Sequence, residues 1–218
     1  MNCAICKTRK PKRYCPGVPG EICSVCCGVG REETVDCPLD CDYLREAHIH
    51  EKPPEFDRAA VPNQDIIIEE PWLEQNQHLL ILFGSAVMDG AMKSPSVTDY
   101  DVREALESLI RTYRTLESGL YYEALPTNPY ALEIHETVQA RVADLRRRES
   151  AATGLATTIR DSMVLRAFVF LQRLEYTYNN NRKRSRAFLD FLRRFHVPLP
   201  GEEEDAPALE PDEPRIIL

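Results

Sequence analysis

The spacing of the cysteines constrains this chain of 218 residues more than any other feature. All eight cysteines lie in the first 41 residues, in the pattern Cys3-x2-Cys6-x8-Cys15-x7-Cys23-x2-Cys26-Cys27-x9-Cys37-x3-Cys41. A Cys-x2-Cys turn aims two sulfur atoms at one point, and zinc accepts four such ligands in a tetrahedron. We therefore expect two zinc ions per chain, each structural because four thiolates leave no open position.

The eight cysteines can be divided between the two ions in more than one way. The two Cys-x2-Cys turns could complete one site with Cys3, Cys6, Cys23 and Cys26. The second site would then hold Cys15, Cys27, Cys37 and Cys41. Adjacent cysteines such as Cys26 and Cys27 point in different directions, and the i,i+4 spacing of Cys37 and Cys41 lets both face one ion from the first turn of a helix. An interleaved pairing is the alternative.

Other chemistries for the cysteines stay open at this point. An iron–sulfur cluster or a redox-active disulfide cluster is a rival to zinc, and His48 or His50 could replace one thiolate. The clustering of cysteines in a reducing compartment favours metal over disulfides. Because about fifty residues cannot build a large core, metal would supply much of the folding free energy of this segment.

Two short runs carry a resemblance to known zinc fingers. Arg-Tyr-Cys-Pro at residues 13–16 and Ile-Cys-Ser-Val-Cys at 22–26 are similar to the Tyr-x-Cys-Pro and Tyr-Cys-Ser-x-x-Cys elements of the HIT and MYND treble-clef fingers. The cysteine segment also resembles a module of uncharacterised bacterial proteins with a helical remainder. The resemblance implies a treble-clef fold and binding of protein partners.

Composition and periodicity divide the chain into four parts. Residues 1–50 form the cysteine module, 51–71 a proline-interrupted connector with one strand-like run at Ile66–Ile68, 72–197 a helical domain, and 198–218 an acidic tail. From Trp72 to Val197 the apolar residues recur at helical spacing. We therefore expect an all-α bundle of about five helices beside a small zinc-stabilised module.

The helix boundaries follow from capping and breaking residues. The predicted helices begin near Pro71, Thr98, Pro129 and Thr158, and after Asn181. Thr98 and Thr158 are predicted caps because an aspartate follows each of them three residues later. The first helix is strongly apolar and is expected at the centre. The fifth should bury Phe188, Leu192 and Phe195 before Pro198 ends it.

The formal charge of −8 is concentrated in the tail. Residues 201–218 hold seven carboxylates and one arginine, and the chain then reads Ile-Ile-Leu. We expect a disordered acidic segment whose apolar residues dock on this chain, near Ile66–Ile68. The alternative is that they offer a carboxyl-terminal peptide to a partner. The tail could also shield the arginines of the last helix.

Five cations beside the first Cys-x2-Cys turn form a basic patch of Lys7, Arg9, Lys10, Lys12 and Arg13. Such a patch can contact phosphates of a nucleic acid, although acidic residues balance the cations across residues 1–50.

No arrangement of catalytic residues stands out, since Glu74 and His78 have no second pair beside them. The sequence thus predicts a zinc-binding adaptor with a protein partner. A nucleic-acid-associated factor is the alternative, and an enzyme with a site in the bundle is third.

The expected location is the cytoplasm. No run of apolar residues reaches the length that a membrane span needs, and the N-terminus lacks the apolar core of a secretion signal. We therefore expect no membrane partner.

Overall fold

The computed structural model describes residues 2–52 and 57–197. The N-terminal part contains β1 (Arg13–Cys15), β2 (Gly20–Ile22), α1 (Ser24–Gly30) and α2 (Asp42–His50). After a 3-10 turn at Arg58–Ala60 follow α3 (Glu70–Gln75), α4 (Gln77–Met92), α5 (Asp99–Glu117), α6 (Pro129–Thr153), α7 (Asp161–Tyr178) and α8 (Ala187–Arg193). The prediction of a mostly helical chain is confirmed. The acidic tail lies outside the described residues.

Helices α4 to α8 form the bundle. Helix α4 packs on α6, α7 and α8, and α5 packs on α6 and α7. The core holds Phe83 and Phe168, whose ring centroids lie 5.3 Å apart, and Tyr113 meets Phe168 edge-on at 5.4 Å. The apolar sequence of α4 predicted its central place, and nine of its residues are buried.

A glycine sets the separation of α4 and α6. A Cβ atom at Gly90 would lie 2.8 Å from the Cα of Ile134 on α6. Real Cβ atoms do not approach other carbon atoms so closely, so only glycine permits this contact between the two backbones. Gly90 lies inside α4, which continues to Met92.

The predicted starts near Pro71, Thr98 and Pro129 are confirmed, since α3, α5 and α6 begin at Glu70, Asp99 and Pro129, but the predicted extent of the first helix and the predicted cap of the fourth are wrong. The segment after Pro71 forms two helices, because Asn76 leaves helical geometry and its side-chain amide donates to the carbonyl of Trp72 at 2.8 Å. Helix α5 has the capping box that Thr98 and Asp101 predicted. Helix α7 starts at Asp161 without a cap from Thr158, because the amide and hydroxyl of Thr158 both donate to Glu149.

The connector lies along the bundle. Ile66 and Ile68 pack against the bundle core, whereas Ile67 between them is exposed. This run joins no strand within the described ranges. Instead Arg173 on α7 holds the preceding turn by donating to the carbonyls of Asn63 at 2.6 Å and Ile66 at 2.8 Å. None of the helices in residues 2–52 and 57–197 is long and apolar enough to cross a membrane.

Candidate metal centre

The first cluster consists of the four cysteines of the two Cys-x2-Cys turns, Cys3, Cys6, Cys23 and Cys26. Their sulfur atoms all lie within 4.8 Å of one another, and none of the eight cysteines forms a disulfide. The antiparallel pair β1–β2 brings the turns together, since residues 3–12 lead into β1 and Cys23 follows β2 directly. Four gathered thiols of this kind can hold a metal ion.

Backbone amides support the sulfur atoms of this cluster. The amide of Cys23 donates to Sγ of Cys3 at 3.2 Å, and the amide of Cys26 donates to Sγ of Cys23 at 3.4 Å. The hydroxyl of Thr8 and the amide of Arg9 lower the pKa of Cys6 to about 5. The hydrogen bond with Cys23, together with burial, raises the pKa of Cys26 to about 12.

The second cluster consists of the remaining cysteines, Cys15, Cys27, Cys37 and Cys41. All four line one cavity of about 10 Å³ beneath β1, α1 and the start of α2. These sulfur atoms are gathered less closely than those of the first cluster, because no three of them lie within 4.8 Å of one another. The structure thus gathers Cys3, Cys6, Cys23 and Cys26 as the non-interleaved pairing predicts, while the other four cysteines share the lining of one cavity.

The local geometry of Cys37 differs from the prediction. Cys41 is the N-cap of α2, and a turn closed by its amide on the carbonyl of Pro38 separates it from Cys37, which lies outside the helix. Gly17 lies against this segment, since a Cβ there would be 2.3 Å from the carbonyl oxygen of Asp36. Burial raises the pKa of Cys37 to about 11, although a hydrogen bond with the backbone of Glu32 acts in the opposite direction.

Two guanidinium groups face the second cluster. Nη1 of Arg13 lies 4.0 Å and Nη2 of Arg31 lies 3.9 Å from Sγ of Cys27. The guanidinium of Arg13 also stacks on the ring of Tyr43 at 3.8 Å. These cations lie where they would offset the negative charge of four thiolates around a divalent ion.

The predicted basic patch is divided by the fold. Arg13 lies against the second cluster. Arg9 forms a hydrogen bond with Cys23 of the first cluster, and this bond raises the pKa of Arg9. Lys7, Lys10 and Lys12 are exposed. Three of the five cations therefore remain for an external anion.

His48 joins the module to the bundle and lies in neither cysteine cluster. Its Nε2 is 3.1 Å from Glu32 and its Nδ1 is 3.2 Å from Asp190 on α8. Burial lowers the pKa of His48, but the two carboxylates outweigh this effect and raise it to about 9. His50, the other histidine considered as a ligand, is exposed.

Glu32, His48 and Glu51 lie close enough together to suggest a further cation site. Arg182 already donates to both carboxylates, and Asn180 donates to Glu32 at 2.7 Å. A guanidinium thus occupies the place that a metal cation would take. This group is an ion-pair network between the module and the bundle.

Arg186 completes that junction. Its side chain is 0% exposed and donates to the carbonyls of Val97 and Cys37 at 2.8 Å, to that of Pro95 at 3.0 Å, and to Asp36 at 2.8 Å. Its amide donates to Glu32 at 2.6 Å. Sequence analysis missed this role, because the partners are 89 to 154 residues away along the chain. An arginine within a basic run carries no local signal of burial.

Comparison with known proteins returned no relatives. No family model matches the chain, and searches of curated proteins and of solved structures found no match.

Proposed function

We propose that the cysteine module binds two structural zinc ions and serves as an adaptor that binds another protein. The observation that carries this proposal is the gathering of Cys3, Cys6, Cys23 and Cys26 within 4.8 Å. Four protein thiolates satisfy the coordination of zinc and leave no position for substrate or water. The ion at this cluster would therefore stabilise the fold and would not catalyse a reaction.

The second zinc ion is proposed at Cys15, Cys27, Cys37 and Cys41. These cysteines surround one small enclosed cavity, and Arg13 and Arg31 compensate charge beside it. Closure of four thiols on an ion would require small shifts of the sulfur atoms toward the cavity. Such coupling of ion binding to local folding is typical of small zinc modules.

The order of elements supports a treble-clef arrangement of the module. A cysteine turn at residues 3–6 is followed by the β1–β2 hairpin and then by α1, whose N-cap is Cys23 and whose first turn contains Cys26. This order agrees with the resemblance to HIT and MYND fingers. We propose a reducing compartment such as the cytoplasm for this protein, since all eight thiols are unpaired.

Exposed apolar side chains on the module support a protein partner. Ile5 and Val25 each lie between two cysteines of the first cluster, and Val29 is one helical turn beyond Val25. They are 41%, 49% and 76% exposed. Apolar residues held outward on a rigid metal-bound turn are suited to bind a partner surface.

Metal and thiol analysis tests the zinc assignment. Protein purified without added metal should contain two zinc ions per chain and release eight free thiols after denaturation in chelator. Iron, or fewer than eight thiols, would contradict the assignment.

Affinity capture with the full chain tests the adaptor role, because Val25→Ser with Val29→Ser should abolish capture of a specific protein. Tyr121→Ser, an exposed change in the bundle, is the matched control.

Exposed Lys7, Lys10 and Lys12 favour the nucleic-acid-associated alternative. Binding of mixed RNA or DNA that weakens steeply with salt and is lost in Lys7→Gln with Lys10→Gln and Lys12→Gln would support it. Capture of a protein that survives these substitutions would favour the adaptor.

A further inference from the structure

A groove of about 240 Å³ runs along the junction of the module and the bundle. Helix α2 forms one side of it with Ile49, and the chain continues along that side to Lys52. The ends of α7 and α8 form the other side with Tyr178, Phe191 and Arg194. The groove belongs to neither cysteine cluster, and the proposed zinc and adaptor functions do not depend on it.

Two aromatic rings, those of Tyr178 and Phe191, line the bundle side of the groove. Tyr178 stacks on Phe191 with ring centroids 3.8 Å apart, and Phe191 contacts Phe195 at 5.2 Å. Phe195, predicted to be buried in the last helix, instead follows α8 and is 55% exposed. Aromatic rings that open to solvent are suited to bind proline-rich segments, whose extended left-handed helix lies against the exposed faces and edges of such rings.

Two cations at the edge of this groove, Lys52 and Arg194, have little of their charge neutralised by carboxylates of the described residues. Glu51 is paired with Arg182, and His48 is held between Glu32 and Asp190. Lys52 is exposed, and the half-exposed Arg194 lies 3.7 Å from Asp190, which two other cations also contact. The groove therefore favours an apolar segment that carries carboxylates.

The chain contains such a segment close to the groove. Residues 207–214 read Pro-Ala-Leu-Glu-Pro-Asp-Glu-Pro, with three prolines, three carboxylates and one leucine. The described chain ends at Val197, two residues beyond Phe195. Residues 198–206 span about 28 Å in a polyproline conformation of ~3.1 Å per residue. The seven residues of α8 are only about 10 Å long, so the segment reaches the groove easily.

We propose that residues 207–214 fold back into this groove. The prolines and Leu209 would lie against Tyr178 and Phe191, and Glu210, Asp212 and Glu213 would lie near Lys52 and Arg194. Of the cations near the last helix that the sequence offered to the tail, the proposal uses Arg194. Arg182, Arg184, Arg186 and Arg193 already pair with carboxylates of the described chain.

Zero-length crosslinking of the full chain tests the contact. A carbodiimide joins a lysine amine to an adjacent carboxylate, so Lys52 should crosslink to Glu210, Asp212 or Glu213. Lys93 and Lys183, which lie outside the groove, should give these products at least about tenfold less often, as expected for a local concentration in the millimolar range. Equal yields from the three lysines, or none from Lys52, would overturn the proposal.

Competition by a peptide supplies an independent measurement. The probe is a labelled synthetic peptide of residues 206–215, and the host is the full chain with its six tail residues Pro207, Glu210, Pro211, Asp212, Glu213 and Pro214 changed to serine. The peptide should bind this host at least about tenfold more tightly than the unaltered chain, whose own tail competes. Lys52→Glu or Tyr178→Ser in the host should weaken binding, and Tyr121→Ser should not. Equal affinity for both hosts, or binding to neither, would refute the docked tail.

Discussion

Nη1 of Arg186 donates to the backbone carbonyl of Cys37 at 2.8 Å, so a buried side chain of the bundle is bonded to a cysteine of the second cluster. The segment from Glu32 to Glu51 makes all the side-chain contacts of the module with Arg182 and Arg186. The first cluster makes no such contact within the described ranges. The two clusters therefore differ in how closely they are connected to the bundle.

This difference predicts unequal effects of removing the two clusters. Cys37→Ser with Cys41→Ser should lower the melting temperature of the helical signal in circular dichroism by about 5 °C or more, because the loop that Arg186 holds loses two of the four thiols through which we propose that zinc anchors it. Cys3→Ser with Cys6→Ser should change it less, although each double variant removes two thiols. Equal shifts of the melting temperature would show that both clusters stabilise the bundle to the same extent.

Arg186→Met should destabilise the protein by about 3 kcal/mol or more. The change removes the donors to the buried carbonyls of Val97 and Cys37 and to that of Pro95, and it leaves the carboxylate of Asp36 without this partner. Chemical denaturation with zinc at saturation measures the effect. Arg184→Met is the matched control, since its half-exposed side chain makes a single ion pair at 3.6 Å and should contribute less than about 1 kcal/mol.

His48 should make stability depend on pH above neutrality. Its pKa is about 9 in the folded chain and about 6.5 in the unfolded chain, so its contribution is fully present below pH ~6.5 and is lost as the pH rises through about 9. The free energy of unfolding should fall by about 3 kcal/mol across this range. His48→Gln should remove this slope when denaturation is measured at saturating zinc, and His50→Gln should retain it. A slope that persists in His48→Gln would assign it to other groups.

Two glycine substitutions should have opposite effects. Gly90→Ala places a methyl group 2.8 Å from Ile134 Cα and should cost about 1 to 3 kcal/mol. Gly28→Ala in α1 meets nothing within 4 Å and should be neutral or stabilising by up to about 1 kcal/mol. Melting curves of both variants test this, and a harmless Gly90→Ala would show that α4 and α6 can separate readily.

Local patterns predicted much of this fold, because their causes lie within a few residues. The spacing of Cys3, Cys6, Cys23 and Cys26 indicated the first cluster, and Thr98 with Asp101 marked the start of α5. The prediction failed where a distant or competing partner decided the outcome. The hydroxyl of Thr158 donates to Glu149 and does not cap α7. Asn76 donates to the carbonyl of Trp72 and interrupts the segment that was predicted as one helix.

The partners of the junction were beyond sequence reasoning for the same reason. His48 and Glu32 carry no local sign that Asp190 and Arg186 will meet them, since 142 and 154 residues separate the pairs. The two cysteine clusters, by contrast, draw on residues of one short segment. Thus spacing indicated how the cysteines divide, but not how their module attaches to the rest of the chain.

The distance in sequence across this junction has a consequence for synthesis on the ribosome. Residues 2–52 emerge before the bundle, but Arg182, Arg186 and Asp190 emerge only after almost the whole of it. Until then Glu32, which is fully buried in the finished protein, has no guanidinium partner from that part of the chain. Docking of the module is therefore a late step in the folding of these residues, because it requires side chains that are made about 150 residues after Glu32.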